Sequence, residues 1–210
     1  MERYEKPIIR KIDPDAKSNV NETLDFKIEL ANPDDWEVCK EMRILALSSD
    51  DGDMLGVTSE NIEELLRKEN EKGEKEWREE LSDPNKLIFL PKNGVEAIGM
   101  SRVTQAKEGI WDLHNSYIKD EFQGKGFGKK LFATRLNEII KRGGVKARGF
   151  LVLNNDRNLH IAESIFRARV VNKISAITKY GIRTIKYNVI EINLTDPEVI
   201  KKIDEVINEG

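Results

Sequence analysis

Residues 111–131 read WDLHNSYIKDEFQGKGFGKKL, the most informative stretch of the chain. An extended run ending at Ile118 leads into a tight loop with Gly124, Gly126 and Gly128, where a helical pattern begins. Glycines let backbone N–H groups approach a ligand without interference from a Cβ atom, and a helix N-terminus carries partial positive charge. Consecutive N–H groups of such a loop can form a cradle for a pyrophosphate. The stretch therefore predicts a phosphate-bearing cofactor.

The spacing of the loop excludes two common nucleotide-binding patterns. In a P-loop the two glycines stand further apart than Gly124 and Gly128, and Lys130 occupies the place of the hydroxyl that binds Mg²⁺. A dinucleotide fingerprint has the spacing G-x-G-x-x-G in an early βαβ unit. This loop has G-x-G-x-G, lies in the middle of the chain and follows runs that read as antiparallel strands.

The loop does match the pattern Q-x-x-G-x-G, as Gln123, Gly126 and Gly128, directly after a strand. In this the chain resembles the coenzyme A-binding signature of the GNAT superfamily of N-acetyltransferases, and the resemblance spans residues 26–194. It implies a mixed α/β fold of the acyl-CoA N-acyltransferase type, with a mainly antiparallel central sheet flanked by helices. It also implies acetyl-CoA as co-substrate and no metal.

The same resemblance implies where the cofactor would bind. The backbone of Tyr117 and Ile118 would hold the pantetheine arm by extending the sheet edge. Asn158 would also touch the pantetheine, although it stands one residue out of register with the asparagine of the family. Backbone amides of the glycine loop would hold the pyrophosphate, namely those of Gln123, Gly124, Lys125, Gly126, Phe127, Gly128 and Lys129.

Two side chains of the preceding strand are candidate catalytic residues. An ammonium group cannot attack a thioester, so the site must remove a proton from the acceptor amine. Asp112 lies 11 residues before Gln123, at the position of the catalytic glutamate in histone-acetylating members of the resembled family. His114 shares its face of the strand, so the two could form a base with its orienting partner. The alternatives are a half-buried His114 with satisfied hydrogen bonds and an Asp112 paired with a neighbouring basic residue.

The chain departs from the family pattern at Phe166. Many members carry a tyrosine there, which returns a proton to the departing thiolate, and phenylalanine has no hydroxyl group. Tyr180, Tyr187, Ser164 or water would then take that role.

Length and composition limit the other possibilities. The 210 residues, with 35 basic and 38 acidic side chains, favour one domain and disfavour an electrostatic nucleic-acid binder. No apolar run approaches the ~20 residues of a membrane span. The single cysteine, Cys39, excludes an internal disulfide framework and a cysteine-based zinc cluster, and its place on a helix face predicts a core residue. We expect a polar extension over 1–24, a single acetyltransferase-like domain over 25–210, and a cytoplasmic monomer or homodimer without a membrane partner.

Hydrophobic periodicity predicts the element order β-α-α-β-β-β-α-β-α-β-β-α. Asn93-Gly94 marks a hairpin turn, and Gly73 divides or kinks the helical region 59–81. An acidic loop over 48–58 precedes that region. Residues 187–194 could form an edge strand that pairs two subunits.

The resemblance thus implies an acetyl-CoA-dependent N-acetyltransferase that acts on a primary amine of a small molecule or a protein. The acidic residues of 48–58 favour a cationic acceptor. The alternative is a non-catalytic acyl-CoA-binding or regulatory module on the same fold. Phe166 in the place of the tyrosine, and Asp112 in the place of the glutamate, slightly favour this alternative.

Overall fold

The computed structural model describes residues 25–49, 62–153, 156–177 and 184–209. The extension predicted over 1–24, nearly all of the acidic loop predicted over 48–58, and Tyr180 lie outside these ranges. Within the described residues, no helix is long and apolar enough to cross a membrane.

Eight strands and six α-helices follow one another in these ranges, with short 3₁₀ turns at Pro33–Asp35 and Asp120–Phe122. The strands are β1 (Phe26–Leu30), β2 (Lys86–Asn93), β3 (Glu96–Ala97), β4 (Gly99–Lys107), β5 (Ile110–Ile118), β6 (Lys146–Val152), β7 (Arg169–Ile177) and β8 (Thr184–Asn193). The helices are α1 (Trp36–Ser48), α2 (Ile62–Glu71), α3 (Glu74–Ser82), α4 (Phe127–Lys141), α5 (Asp156–Phe166) and α6 (Pro197–Asn208).

The strands form one sheet in the order β1-β2-β4-β5-β6-β8-β7, with the short β3 paired to β2. All neighbours are antiparallel except β5 and β6, which run parallel. The predicted mixed, mainly antiparallel sheet is therefore confirmed. The predicted edge strand over 187–194 is wrong, because β8 pairs with β6 on one side and with β7 on the other.

Local sequence signals set the helix boundaries. The Asn32 side chain accepts a hydrogen bond from the Asp34 N–H at 2.8 Å, and the Asp35 carboxylate accepts one from the Asn32 N–H at 2.9 Å. This reciprocal cap satisfies N–H groups that a helix start leaves without partners. Gly73 separates α2 from α3, and the Glu76 carboxylate accepts from its N–H at 2.9 Å. The expected division of the helical region 59–81 is thus confirmed.

Alternating residues of β2 contribute to two separate cores, one on each face of the sheet. Leu87 and Phe89 belong to the larger core, which includes residues of α4, α5 and α6. Ile88 and Leu90 belong to a core with residues of α1 and α3. Cys39 lies in this second core, where burial raises its thiol pKa to about 12. Cys39 is therefore a packing residue and no nucleophile, as predicted.

Candidate active site and cofactor cleft

The central sheet splits between its two parallel strands. The β5–β6 pairing runs from Ile110 opposite Lys146 only as far as Leu113 opposite Gly149. Beyond that point β5 continues along β4 to Ile118, and β6 continues along β8 to Val152. The two halves of the sheet diverge, and the cleft between them opens at the carboxyl ends of β5 and β6.

A β-bulge in β5 accompanies this divergence. Ser101 pairs with Ser116 and Val103 with Leu113, so two steps along β4 correspond to three steps along β5. The extra residue falls next to His114. A bulge bends its strand and increases the local twist, which directs the end of β5 away from β6. Tyr117 and Ile118, the residues expected to hold the pantetheine arm, follow the bulge at the cleft.

The glycine loop lies directly beyond β5 and ends in the first turn of α4. Gly124 and Gly126 have φ angles of +77° and +86°, a conformation that L side chains rarely adopt. Gly126 caps α4 without a side-chain hydrogen bond, so the first N–H groups of this 15-residue helix are left for another acceptor. A Cβ atom on Gly128 would meet nothing within 4 Å. The space above the helix N-terminus is therefore open to an anionic ligand.

The Gln123 side chain acts as a brace for this loop. Its amide donates to the Ile118 carbonyl and to the Asp120 carboxylate, both at 3.0 Å. These bonds tie the loop to the last residue of β5. Gln123 therefore fixes where the cradle stands relative to the cleft.

Phe127 and Lys125 flank the cradle in different ways. The Phe127 ring is buried and stacks on Phe26 at 4.2 Å between ring centroids, so only the backbone of Phe127 can serve a ligand. Lys125 is exposed, with its ammonium 5.3 Å from the centroid of the Phe122 ring. The apolar contacts of Phe127 anchor the helix start against β1.

Lys129, in the first turn of α4, already has an anionic partner. Its ammonium lies 2.5 Å from the Glu209 carboxylate, and Lys130 donates to the Glu209 carbonyl at 3.3 Å. Glu209 follows the last residue of α6. An anionic cofactor bound at this helix start would therefore compete with Glu209 for the Lys129 charge.

Replacing Glu209 by Gln is expected to tighten acetyl-CoA binding by about two- to fivefold, since exposed ion pairs contribute up to ~1 kcal/mol. Isothermal titration calorimetry at low salt measures this. The control is E205Q, which removes an ion pair with Lys202 on the same helix. Equal affinities of E209Q and E205Q would contradict the competition.

Asp112 forms an ion pair across the parallel strands. Its two carboxylate oxygens accept from Arg148 Nε at 2.8 Å and Arg148 Nη2 at 3.0 Å. The two residues stand opposite each other in the β5–β6 ladder. This is the pairing with a basic neighbour that the sequence left open as the alternative for Asp112.

His114 is hydrogen-bonded to a different neighbour. Its Nε2 lies 2.6 Å from Thr104 Oγ1 on β4. Burial, followed by the charges of Arg102 and Arg135, lowers the His114 pKa to about 4. The imidazole is therefore neutral at physiological pH and can accept a proton. Among the described residues, no hydrogen bond joins His114 to Asp112, so the two do not form a dyad.

The residues considered as proton donors lie in contrasting surroundings. Phe166 is fully buried and stacks on Phe132 at 5.0 Å between ring centroids, which makes it part of the core. Ser164 is exposed on α5 and donates to the His160 carbonyl. Tyr187 stands opposite Val152, at the cleft end of β6, and burial raises its pKa.

Asn158 lies in the first part of α5, just beyond β6, and is exposed.

Sequence reasoning missed Arg135 and Arg148. Arg135 was detectable as a charged residue four positions after Leu131 and four before Ile139, within the apolar stripe of a helix. The sequence left open a basic partner for Asp112 but did not identify it as Arg148, because the two residues lie 36 positions apart on different strands.

Comparison with known proteins identifies the class. The sequence model of the Acetyltransferase (GNAT) family matches residues 54–165, which is more than half of the 210 residues. The chain therefore belongs to the GNAT family of acetyltransferases. No curated protein gives a significant sequence match.

Solved structures share the fold at low identity. The PaiA N-acetyltransferase from Thermoplasma acidophilum, in complex with coenzyme A, matches with a TM-score of 0.58 and 16% identity, over 80% of this chain and 98% of its own. Spermidine N-acetyltransferase from Vibrio cholerae, in complex with CoA and spermine, matches with a TM-score of 0.59 and 14% identity, over 80% of this chain and 94% of its own. The ribosomal-protein-S18-alanine N-acetyltransferase from Escherichia coli matches with a TM-score of 0.57 and 13% identity, over 80% of this chain and 94% of its own. These matches confirm the predicted acyl-CoA N-acyltransferase-like fold.

The loop fits coenzyme A on its own geometry. Two positive φ angles, an uncapped helix start and open space above Gly128 provide N–H groups for a pyrophosphate. Family membership and this fit agree on coenzyme A as the cofactor. Among the described residues, no group of three or more His, Cys, Asp or Glu side chains could hold a metal ion.

Proposed function

We propose that the protein is an acetyl-CoA-dependent N-acetyltransferase that transfers an acetyl group directly to a primary amine of a small molecule or a protein. The observation that carries this is the position of the glycine loop at the mouth of a split sheet. A cradle for phosphates and a cleft for an extended arm then meet beside one strand, β5. The solved neighbours that act on amines support the choice of acceptor.

In the proposed reaction, acetyl-CoA supplies an activated acyl group as a thioester. A bond forms between the acceptor nitrogen and the acetyl carbon, and the carbon–sulfur bond breaks. The nitrogen loses a proton and the departing thiolate gains one. The backbone amides from Gln123 to Lys129 hold the phosphates, and the ends of β5 and β6 enclose the acceptor.

His114 is the proposed proton acceptor. It lies on β5 at the bulge, and its imidazole is neutral. Because its pKa is lowered to about 4, it takes the proton as the nitrogen attacks the acetyl carbon and becomes more acidic, and not from a free ammonium group. Asp112 contributes by holding Arg148, and its negative charge counteracts the arginine charges that lower the His114 pKa. For the proton donor, Tyr187 is proposed, because it stands at the cleft end of β6.

The acceptor is proposed only as a primary amine. Two of the arginines near His114 are paired with carboxylates, Arg43 3.3 Å from Glu69 and Arg102 2.6 Å from Glu80, whereas Arg135 is buried and donates to carbonyl and hydroxyl oxygens. These pairs favour neither a cationic nor an anionic acceptor. The cationic acceptor inferred from the acidic loop over 48–58 therefore stays a prediction.

The test combines binding and turnover. Calorimetric titration is expected to give micromolar binding of acetyl-CoA and of free coenzyme A, and far weaker binding of ATP. Thiol release in the presence of an amine panel then measures transfer. H114A is expected to lower kcat about a hundredfold while the acetyl-CoA Kd stays unchanged, as for loss of a general base.

The other outcomes decide between the two functions. A non-catalytic acyl-CoA-binding module would bind coenzyme A but release no thiol with any amine. A folded protein that binds no coenzyme A would overturn both. D112A probes the ion pair separately, because it leaves the His114 imidazole in place.

A further inference from the structure

Arg135 is a buried arginine of α4 that contacts β4 and β5 at the bulge. Its side chain projects from α4 and is 3% exposed. Among the described residues its hydrogen-bond acceptors are two carbonyl groups and a hydroxyl group but no carboxylate, and its Nε is buried without an acceptor. Burial lowers its pKa to about 9, so the guanidinium remains charged at neutral pH. An unpaired buried charge is costly, which calls for an explanation beyond packing.

The guanidinium contacts both strands at the bulge. Nη2 donates to the His114 carbonyl at 3.0 Å and to the Arg102 carbonyl at 3.4 Å. Nη1 donates to Ser116 Oγ at 2.7 Å, and this hydroxyl lies 2.8 Å from Ser101 Oγ on β4. The contacts reach β5 on either side of its extra residue. A bulge interrupts the regular ladder, and Arg135 supplies hydrogen bonds in its place.

The hydrogen bonds of Arg135 at the bulge connect buried residues with an exposed one. Arg135 and Ser101 are buried, whereas Ser116 is an exposed residue whose hydroxyl group bonds to both of them. The guanidinium therefore lies directly beneath the strand segment that borders the proposed acetyl site. Any shift of the guanidinium would move the backbone from His114 to Ser116.

We propose that Arg135 is a positioning residue for acetyl transfer, holding the β5 bulge in the shape that presents His114 and the backbone up to Ser116 to the reacting groups. This inference rests on the proposed function. It assigns Arg135 a larger effect on the rate of transfer than on cofactor binding, because the guanidinium contacts His114 and Ser116, and the glycine loop is tied instead to Ile118 by Gln123.

The experiment compares R135M, R135K and the control R142M. Arg142 caps the other end of α4 on the surface and pairs with Glu138 at 3.0 Å. R135M is expected to lower kcat about a hundredfold, the effect of a misplacement near 1 Å, with the acetyl-CoA Kd within about threefold of wild type. R135K keeps a cationic hydrogen-bond donor, and its kcat is expected to be about tenfold higher than that of R135M.

A second readout is independent of turnover. The chain has two histidines, so NMR titration of an H160Q background follows His114 alone. R135M is expected to raise the His114 pKa, since one of the charges that lower it is removed. The other groups around His114 remain, namely Arg102 of β4 with its partner Glu80 of α3, Arg43 of α1 with Glu69 of α2, and Asp112 of β5 with Arg148 of β6.

The outcomes separate the two proposals. A wild-type protein that binds coenzyme A but transfers to no amine overturns the proposed function and this inference with it. An active wild type with an equally active R135M overturns the inference alone. If R135M and R135K are both less folded, and both bind acetyl-CoA more weakly and transfer acetyl groups more slowly in parallel, Arg135 has a role in stability, which also overturns the inference.

Discussion

Replacing Gly126 by Asp is expected to weaken acetyl-CoA binding by at least ~100-fold while the protein remains folded. The new carboxylate would stand at the start of α4, where it competes for the N–H groups of the first turn. It would also place a negative charge where the pyrophosphate is proposed to bind, and like charges in close contact cost several kcal/mol. Aspartate tolerates a positive φ better than most residues, so the backbone cost is modest.

The matched control is G143D, at the opposite end of α4. Gly143 has a φ of +75°, and a Cβ atom there would also meet nothing within 4 Å. Both variants therefore carry the same backbone strain in open space, but only Gly126 borders the cradle. Calorimetric titration with acetyl-CoA and thermal melts of both proteins make the comparison. An unchanged Kd in G126D would place the cofactor phosphates elsewhere.

Stability is expected to fall steeply between pH 7 and pH 5 because of His114. Its pKa is lowered from 6.5 to about 4 in the folded protein, so the unfolded chain binds more protons in this window. The free energy of unfolding therefore rises with pH from about 4 to 6.5. The full difference amounts to about 3 kcal/mol, of which about 2 kcal/mol is lost on going from pH 7 to pH 5.

Urea unfolding of wild type and H114Q at both pH values measures this. Carboxylates titrate in both proteins, so the difference between the two pH responses isolates His114. The exposed His160 supplies the control, since H160Q is expected to keep the wild-type response. Identical responses of wild type and H114Q would contradict the buried neutral imidazole.

The candidate site was predictable where it depends on short stretches of chain. The glycine loop combines positive φ angles with a helix start, and both follow from residues that adjoin one another in the sequence. Likewise, the cap at Asn32 and the break at Gly73 involve partners three residues apart. The sequence also showed that Phe166, which has no hydroxyl group, cannot donate a proton. The structure places its ring in the core.

The candidate catalytic residues were less predictable. Strand alternation correctly put Asp112 and His114 on one face, which suggested that they act together. Their hydrogen-bond partners instead come from the two neighbouring strands, Arg148 on β6 and Thr104 on β4. Strand alternation defines a face, but it does not identify the strands on either side.

The family, the glycine loop with its two left-handed residues and most of the strands and helices could be predicted from the sequence alone. These rest on glycine conformations, capping residues and hydrophobic period, which are local properties of the chain. Only the tertiary structure decided that β8 lies inside the sheet, that the β5–β6 ladder ends at Leu113, and that Arg135 supports the bulge. Such contacts join residues 19 to 47 positions apart, and they form only when the sheet and its helices are assembled.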